Sequence, residues 1–138
     1  MSVNIEKLEN ILENDNHTIL NKTYTTIKSD KNDILQKLNV TREKLKDITY
    51  KLKNYRYIDE ISDIVSGNYC RWINLNNEEI KLQNGGFIGS INISENGPLL
   101  CIKTFQKFIN INANNILLFQ KINDEEKILM QVMKYIEK

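Results

Sequence analysis

The run "LNKTYTTIKSDKNDILQKLNVTREKLKDITYKLKNY", residues 20–55, decides how the first half of this chain is built. Its apolar positions recur in alternating steps of three and four. Leu20, Ile27, Ile34, Ile48 and Tyr55 fall on one column and Tyr24, Leu38, Leu45 and Leu52 on the other, which is the pattern of a coiled-coil seam. Only Lys31 and Thr41 break the stripe. The step order makes the first column d and the second a, and Leu at a with Ile at d favours trimers or tetramers over a parallel dimer. Lys37 at g facing Arg42 at e of a partner would also disfavour that dimer, while Leu35 widens the apolar stripe toward a larger bundle. These residues are therefore expected to form an oligomerisation arm over 17–55, with the chain itself as partner. An intrachain alternative stays open, because "SDKND" at 29–33 reads as a helix start that would let the helices fold as a hairpin on their own domain.

Working outward, Ile5, Leu8, Ile11 and Leu12 recur at helical spacing and predict a short amphipathic helix within residues 1–16. Charge is uneven along the chain: net −3 over residues 1–16, +6 over 17–56 and −2 over 57–138, within an overall +1. The basic excess of the arm, Lys37, Arg42, Lys44, Lys46, Lys51, Lys53 and Arg56, makes these side chains the candidates for contact with nucleic acid. A solvated helical face in a lysine-rich chain explains the same excess, so nucleic acid stands second to self-association as a partner.

After Tyr57 the texture turns β-like. "NYCRWINL" at 68–75, "EIKL" at 79–82, "FIGSINI" at 87–93, "LLCIKTF" at 99–105 and "NILLFQKI" at 115–122 read as five short strands. Asn84-Gly85-Gly86 reads as a hairpin turn and "ENGP" as the next one. The whole is an α+β chain: an N-terminal coiled-coil helix, a five-stranded SH3-like or Tudor-like barrel over 56–122, and a capping helix over 123–138. That last helix opens on Asn123-Asp124-Glu125-Glu126, the spacing of a capping box, and carries Ile128, Leu129, Val132, Met133 and Ile136 on one face. In "NYCRWINL", alternation puts Tyr69, Arg71, Ile73 and Leu75 on one face and Cys70, Trp72 and Asn74 on the other. Ile73 and Leu75 argue that the Tyr69 face points inward, at least toward the strand's end; the alternative puts Cys70 and Trp72 in the core and leaves Tyr69 and Arg71 at the rim. Tyr69, Arg71 and Trp72 are the candidates for partner contact, and core packing is preferred to an aromatic cage built with Tyr57, Phe87 or Phe105.

The runs "IDEISDIVSGNYCRWINL", "IKLQNGGFI" and "LLFQKINDEEKILM" resemble a set of small proteins of amoeba-infecting giant DNA viruses, the mimivirus-like group, over residues 55–138. The abundance of Asn, Ile and Lys, all encoded by A/T-rich codons, agrees with such a source and accounts for Asn-rich patches such as "NINANN" without a functional cause. The resemblance implies the cytoplasm of an infected host cell, or the virion, and another viral protein as a further partner; it carries over no catalytic residues.

Catalytic equipment is sparse. His17, the only histidine, has no evident partner, and Asp59, Glu60 and Asp63 lack the spacing of a calcium loop. Cys70 and Cys101 are too few and too far apart for a zinc site and are expected to be reduced, buried residues. No secretory leader is recognisable, and no apolar run approaches the ~20 residues that cross a bilayer. The reading is thus a non-enzymatic, oligomeric interaction or structural protein, a virion component or assembly adaptor, without cofactor, metal or membrane attachment; a nucleic-acid-associated factor is the alternative.

Overall fold

The computed structural model describes residues 24–136. The expected helix of residues 1–16, and Leu20 and His17, lie outside the described residues. The run quoted above folds as two helices, α1 (Tyr24–Gln36) and α2 (Arg42–Lys51). The break has a local cause. Asn39, Val40 and Thr41 are poor helix formers, and Thr41 takes an extended conformation (φ −65°, ψ 158°) with its hydroxyl accepting from the Lys44 N–H at 3.2 Å, an N-cap for α2. The last turn of α1 tightens through N–H bonds from Lys37 to the Ile34 carbonyl and from Leu38 to that of Leu35.

The coiled-coil arm is corrected by where its seam goes. Leu35, Ile48 and Leu52 are buried against Ile73, Leu82, Leu117 and Phe119, with Ile34, Leu38, Leu45 and Tyr55 at the margin of the same cluster. Ile27 is buried with Ile122, Leu129 and Met130. A heptad stripe reports that one side of a helix is covered and not what covers it. Here the cover is this chain's own sheet and its last helix. The two residues that broke the stripe are the two that fold it: Thr41 starts α2, and Lys31 crosses from α1 to the carbonyls of Leu52 at 2.8 Å, Tyr55 at 3.0 Å and Lys53 at 3.5 Å. Burial, with Lys28 nearby, pushes the Lys31 ammonium below its ordinary pKa.

The β half is one six-stranded antiparallel sheet and not a five-stranded barrel. Its strands are β1 (Tyr55–Ile58), β2 (Tyr69–Asn74), β3 (Gly86–Ser94), β4 (Gly97–Lys103), β5 (Phe108–Asn112) and β6 (Ile116–Lys121). They lie in the order β1-β6-β2-β3-β4-β5, so β1 and β5 are edges and the sheet stays open. The expected strand "EIKL" makes a single bridge, Leu82 to Ile73, while β1 and β5 went unread. "YRYI" is only four residues long, and "FININ" runs into the "NINANN" stretch attributed to codon usage, sharing residues 110–112 with it.

The sheet buries both faces, unequally. On the inner face, Ile58, Cys70, Trp72, Ile88, Leu100, Ile102, Ile116 and Leu118 form one cluster, to which Ile109 and Ile111 of β5 are joined. Among the described residues no α-helix contributes to it, so the strands shield one another. Such shielding requires strong curvature, and the register shift between Ile88 and Ile91 supplies a bulge for it. On the outer face, α1 and α2 cover Ile73, Leu117 and Phe119 and leave β3 to β5 without a helix. Trp72, only 5% exposed, belongs to the inner core, which reverses the expectation that the Tyr69 face is the inside.

The chain ends on α3 (Asp124–Ile136). Its first turn is a reciprocal capping box: the Glu126 N–H donates to Asn123 Oδ1 at 2.8 Å, and Glu126 Oε1 accepts from the Asn123 N–H at 3.1 Å. The same carboxylate accepts from Asn68 Nδ2 at 3.3 Å and lies 3.5 Å from Arg56 Nη2, both partners of that pair being almost fully buried. Arg56 also donates to the Asp63 carbonyl, and Gln120 accepts from the Val65 N–H at 2.8 Å. Burial pulls the Arg56 guanidinium down from its usual pKa, and Glu126 and then Asp63 pull it back. One carboxylate thus holds α3, β1 and the 59–68 connection together.

Truncating it should be strongly destabilising. Glu126→Ala is expected to cost about 3–5 kcal/mol in urea unfolding, because a charged Arg56 would be left buried, whereas Arg56→Met with Glu126→Leu should recover most of the loss. A cost below about 1 kcal/mol for the single variant would show that the pair does not hold this junction.

Candidate nucleic-acid interface

The registers of β2 to β5 bring four side chains into a row. Tyr69 is opposite Phe87, Phe87 opposite Lys103, and Lys103 opposite Phe108. Their chain neighbours Cys70, Ile88, Ile102 and Ile109 face the inner cluster, so period-two alternation turns the row outward. The row continues toward the other edge. Cys70 is opposite Gln120, which puts Lys121 one step along β6, and Lys121 is opposite Tyr55 on β1. Across all six strands the order is Tyr55, Lys121, Tyr69, Phe87, Lys103, Phe108: aromatic rings interspersed with ammonium groups, and no carboxylate among them.

The rings are placed to meet something. Tyr69 and Phe87 make an edge-to-face pair with centroids 5.1 Å apart, and Lys103 Nζ lies 5.7 Å from the Phe108 centroid. Phe87 and Phe108 are 54% and 68% exposed, and Phe105, in the β4–β5 turn, is fully exposed. A large apolar ring left in water on a sheet face is the kind of exposure that calls for a partner. Glycine makes the room. Gly85 has φ +109°, and a Cβ there would collide with the Cys70 carbonyl and come within 2.9 Å of the Tyr69 ring. A Cβ on Gly86 would lie 2.5 Å from the Lys103 carbonyl oxygen. Asn84-Gly85-Gly86 is therefore a point of close approach between β2, β3 and β4, and not the hairpin turn expected from the sequence.

Two clefts flank the Tyr69–Phe87 pair. One, of about 430 Å³, is lined by Asn68, Tyr69, Phe87, Lys121, Asn123 and Lys127 among others. The second, of about 450 Å³, is lined by Tyr69, Asn84, Phe87, Lys103 and Phe105 with the two glycines. Arg71, on the same face, donates from Nε to the Gln83 carbonyl at 2.9 Å, which fixes its guanidinium. Burial raises the Tyr55 hydroxyl above its usual pKa, and nearby Arg71 acts against that rise. This arrangement can stack planar rings and attract phosphate.

The candidates named from sequence are dispersed. Of the basic set, Arg56 is buried in the Glu126 cluster and cannot reach a ligand. Lys51 pairs with Asp47 at 2.9 Å and Lys44 with Glu79 at 3.6 Å. Arg42 and Lys46 line a cleft between α1 and α2, and Lys37 follows α1. Lys53 lines a basic cleft beside α3. Of the partner set, Tyr69 and Arg71 lie on the row's face and Trp72 is core. Asp59 and Glu60 are exposed, and among the described residues no cluster of three metal-ligating side chains occurs. Lys103, Phe108 and Lys121 were missed. Their signal exists only once register is known, because Phe87 and Phe108 are 21 residues apart in sequence yet flank one lysine.

Comparison of the chain with protein-family models, with curated proteins and with solved structures found no match.

The two thiols report which face is which. Cys70, buried in the inner cluster, has its pKa pushed up to about 12 by burial, whereas Cys101 is half-buried on β4 with its pairing partner Asn110 exposed. In the native protein at pH 8, alkylation followed by intact mass and peptide mapping should modify Cys101 and reach Cys70 only on unfolding. Equal reactivity of the two would refute the assignment of faces.

Proposed function

We propose that this chain is a non-enzymatic, single-stranded nucleic-acid-binding module that uses the outer face of β2 to β5. The observation that carries the reading is the row Tyr69, Phe87, Lys103, Phe108. Every base has a π face, so a line of exposed rings binds single strands with little sequence preference, and interspersed lysines supply phosphate attraction. The clefts on either side of Tyr69–Phe87 have room for planar groups.

The oligomeric reading loses its stem, because the seam residues Ile27, Ile48 and Leu52 are buried within their own chain. A protein partner keeps one argument: β5 is an open edge, with exposed Phe105 and Phe108 beside it. The resemblance over residues 55–138 supports an origin in a giant DNA virus, and with it a place in infected cytoplasm or in the virion.

Fluorescence anisotropy with labelled single-stranded RNA and DNA of mixed sequence, at about 50 mM salt, tests the proposal. Binding is expected to weaken steeply with added salt. Phe87→Ala and Phe108→Ala should each weaken it about 5- to 150-fold, the equivalent of ~1–3 kcal/mol per stacked base, with unchanged circular dichroism. No binding at low salt, or aromatic variants that bind like the parent chain, would sink it and leave the open β5 edge as the better surface.

A further inference from the structure

The clefts do not end at the aromatic row. The cleft beside Tyr69 and Phe87 shares Ile122 and Lys127 with another of about 370 Å³, also lined by Lys53, Asn54, Met130, Gln131 and Lys134. That one in turn shares Lys53, Ile122 and Met130 with a fourth of about 240 Å³, reached by Lys28 and Lys31 of α1. The four form a chain around the molecule, from the β4–β5 turn, past the start of α3, to the junction of α1 with the α2–β1 connection.

The chemistry along this path is one-sided. Among the described residues, no carboxylate lines either of the two clefts that meet at Lys53, Ile122 and Met130. Asp124 is the one described acid lining any of the four, against lysines at 28, 31, 53, 103, 121, 127 and 134. Lys31 is committed to backbone carbonyls, and its charge adds to that of Lys28 rather than cancelling it. The floor, Ile122 and Met130, is apolar. Ammonium groups above an apolar floor, running out of a row of stacking rings, suit a sugar-phosphate backbone that has left the row. They do not suit a cationic or purely apolar ligand.

Resting on the single-strand reading, we propose that this lysine-lined groove is the second half of the binding track. The strand stacks bases on Tyr69, Phe87 and Phe108, then turns past Lys127 and lays its phosphates between α1 and α3 against Lys53 and Lys28. The row is the part that holds bases. The groove holds backbone, is indifferent to sequence, and is filled only by a strand long enough to reach it.

The experiment is anisotropy on the full chain at 20–200 mM salt, using oligouridylates of four and twelve nucleotides and the double variant Lys28→Gln, Lys53→Gln. Both lysines are exposed and lie away from the row, and circular dichroism checks that the fold is kept. The parent chain should bind the twelve-mer with a steeper salt dependence than the four-mer. The double variant should flatten the twelve-mer slope by about 1.4, roughly 0.7 for each phosphate that a lysine no longer neutralises, and leave the four-mer unchanged. Equal slopes for the two lengths, or a twelve-mer slope unaffected by the double variant, would overturn the groove while leaving the row standing. Insensitivity of both oligonucleotides to Phe87→Ala would instead overturn the row.

Discussion

The Lys31 ammonium sits where the last turn of α2 passes into β1, donating to the carbonyls of Leu52 and Tyr55 and reaching that of Lys53. Carbonyls at a helix C-terminus have no intrahelical donor, and a cation there satisfies them and opposes the negative end of the helix dipole. Because Lys31 belongs to α1, the same contact fixes α1 across the α2–β1 connection. That places Leu35, Ile48 and Leu52 over Leu117 and Phe119, and Ile27 against Leu129 and Met130. Lys31 thus ties the helical hairpin to the sheet it covers, while Glu126 and the packing of Ile27 on Leu129 and Met130 hold α3.

That arrangement divides the outer sheet face. The half carrying Ile73, Leu117, Phe119, Tyr55 and Tyr57 is closed by helices, and the half on β3 to β5 is not. A sheet can leave one face to solvent when the other is packed, and here the inner cluster from Ile58 to Ile102 supplies the packing. The open half is then available to carry aromatic rings while the core stays intact. Gly85 and Gly86 permit the close approach of β2, β3 and β4 that brings Tyr69, Phe87 and Lys103 side by side.

The Glu126 cluster ties this surface to the helices. Its carboxylate caps α3, meets Arg56 on β1 and holds Asn68, the residue before Tyr69. Asn68 and Asn123 also line the cleft beside the Tyr69–Phe87 pair. The polar core and the proposed binding surface therefore share a wall.

Much of the architecture was legible locally. The capping box at Asn123, the helical stripe from Tyr24 to Leu52, the alternation in "NYCRWINL" and the strand runs in "FIGSINI", "LLCIKTF" and "NILLFQKI" are short-range signals, and the structure contains an element at each. What covers a stripe, and which strand lies beside which, are long-range facts. The heptad could not say whether its partner was another copy or this chain's own sheet, because both bury the same positions. Lys31 and Thr41, the two breaks in the stripe, were visible as interruptions; their roles as anchor and cap depend on residues more than twenty positions away in one case and three in the other. Edge strands as short as "YRYI" carry too few alternations to be seen alone. The aromatic and lysine row exists only through register, since a shift of one residue in β3 or β4 would turn Phe87 or Lys103 into the core. Sequence determined which residues could form helices, strands and caps, through propensities and hydrogen bonds that act over a few residues. Tertiary structure alone decided which faces met, because that depends on burial between segments the chain keeps far apart.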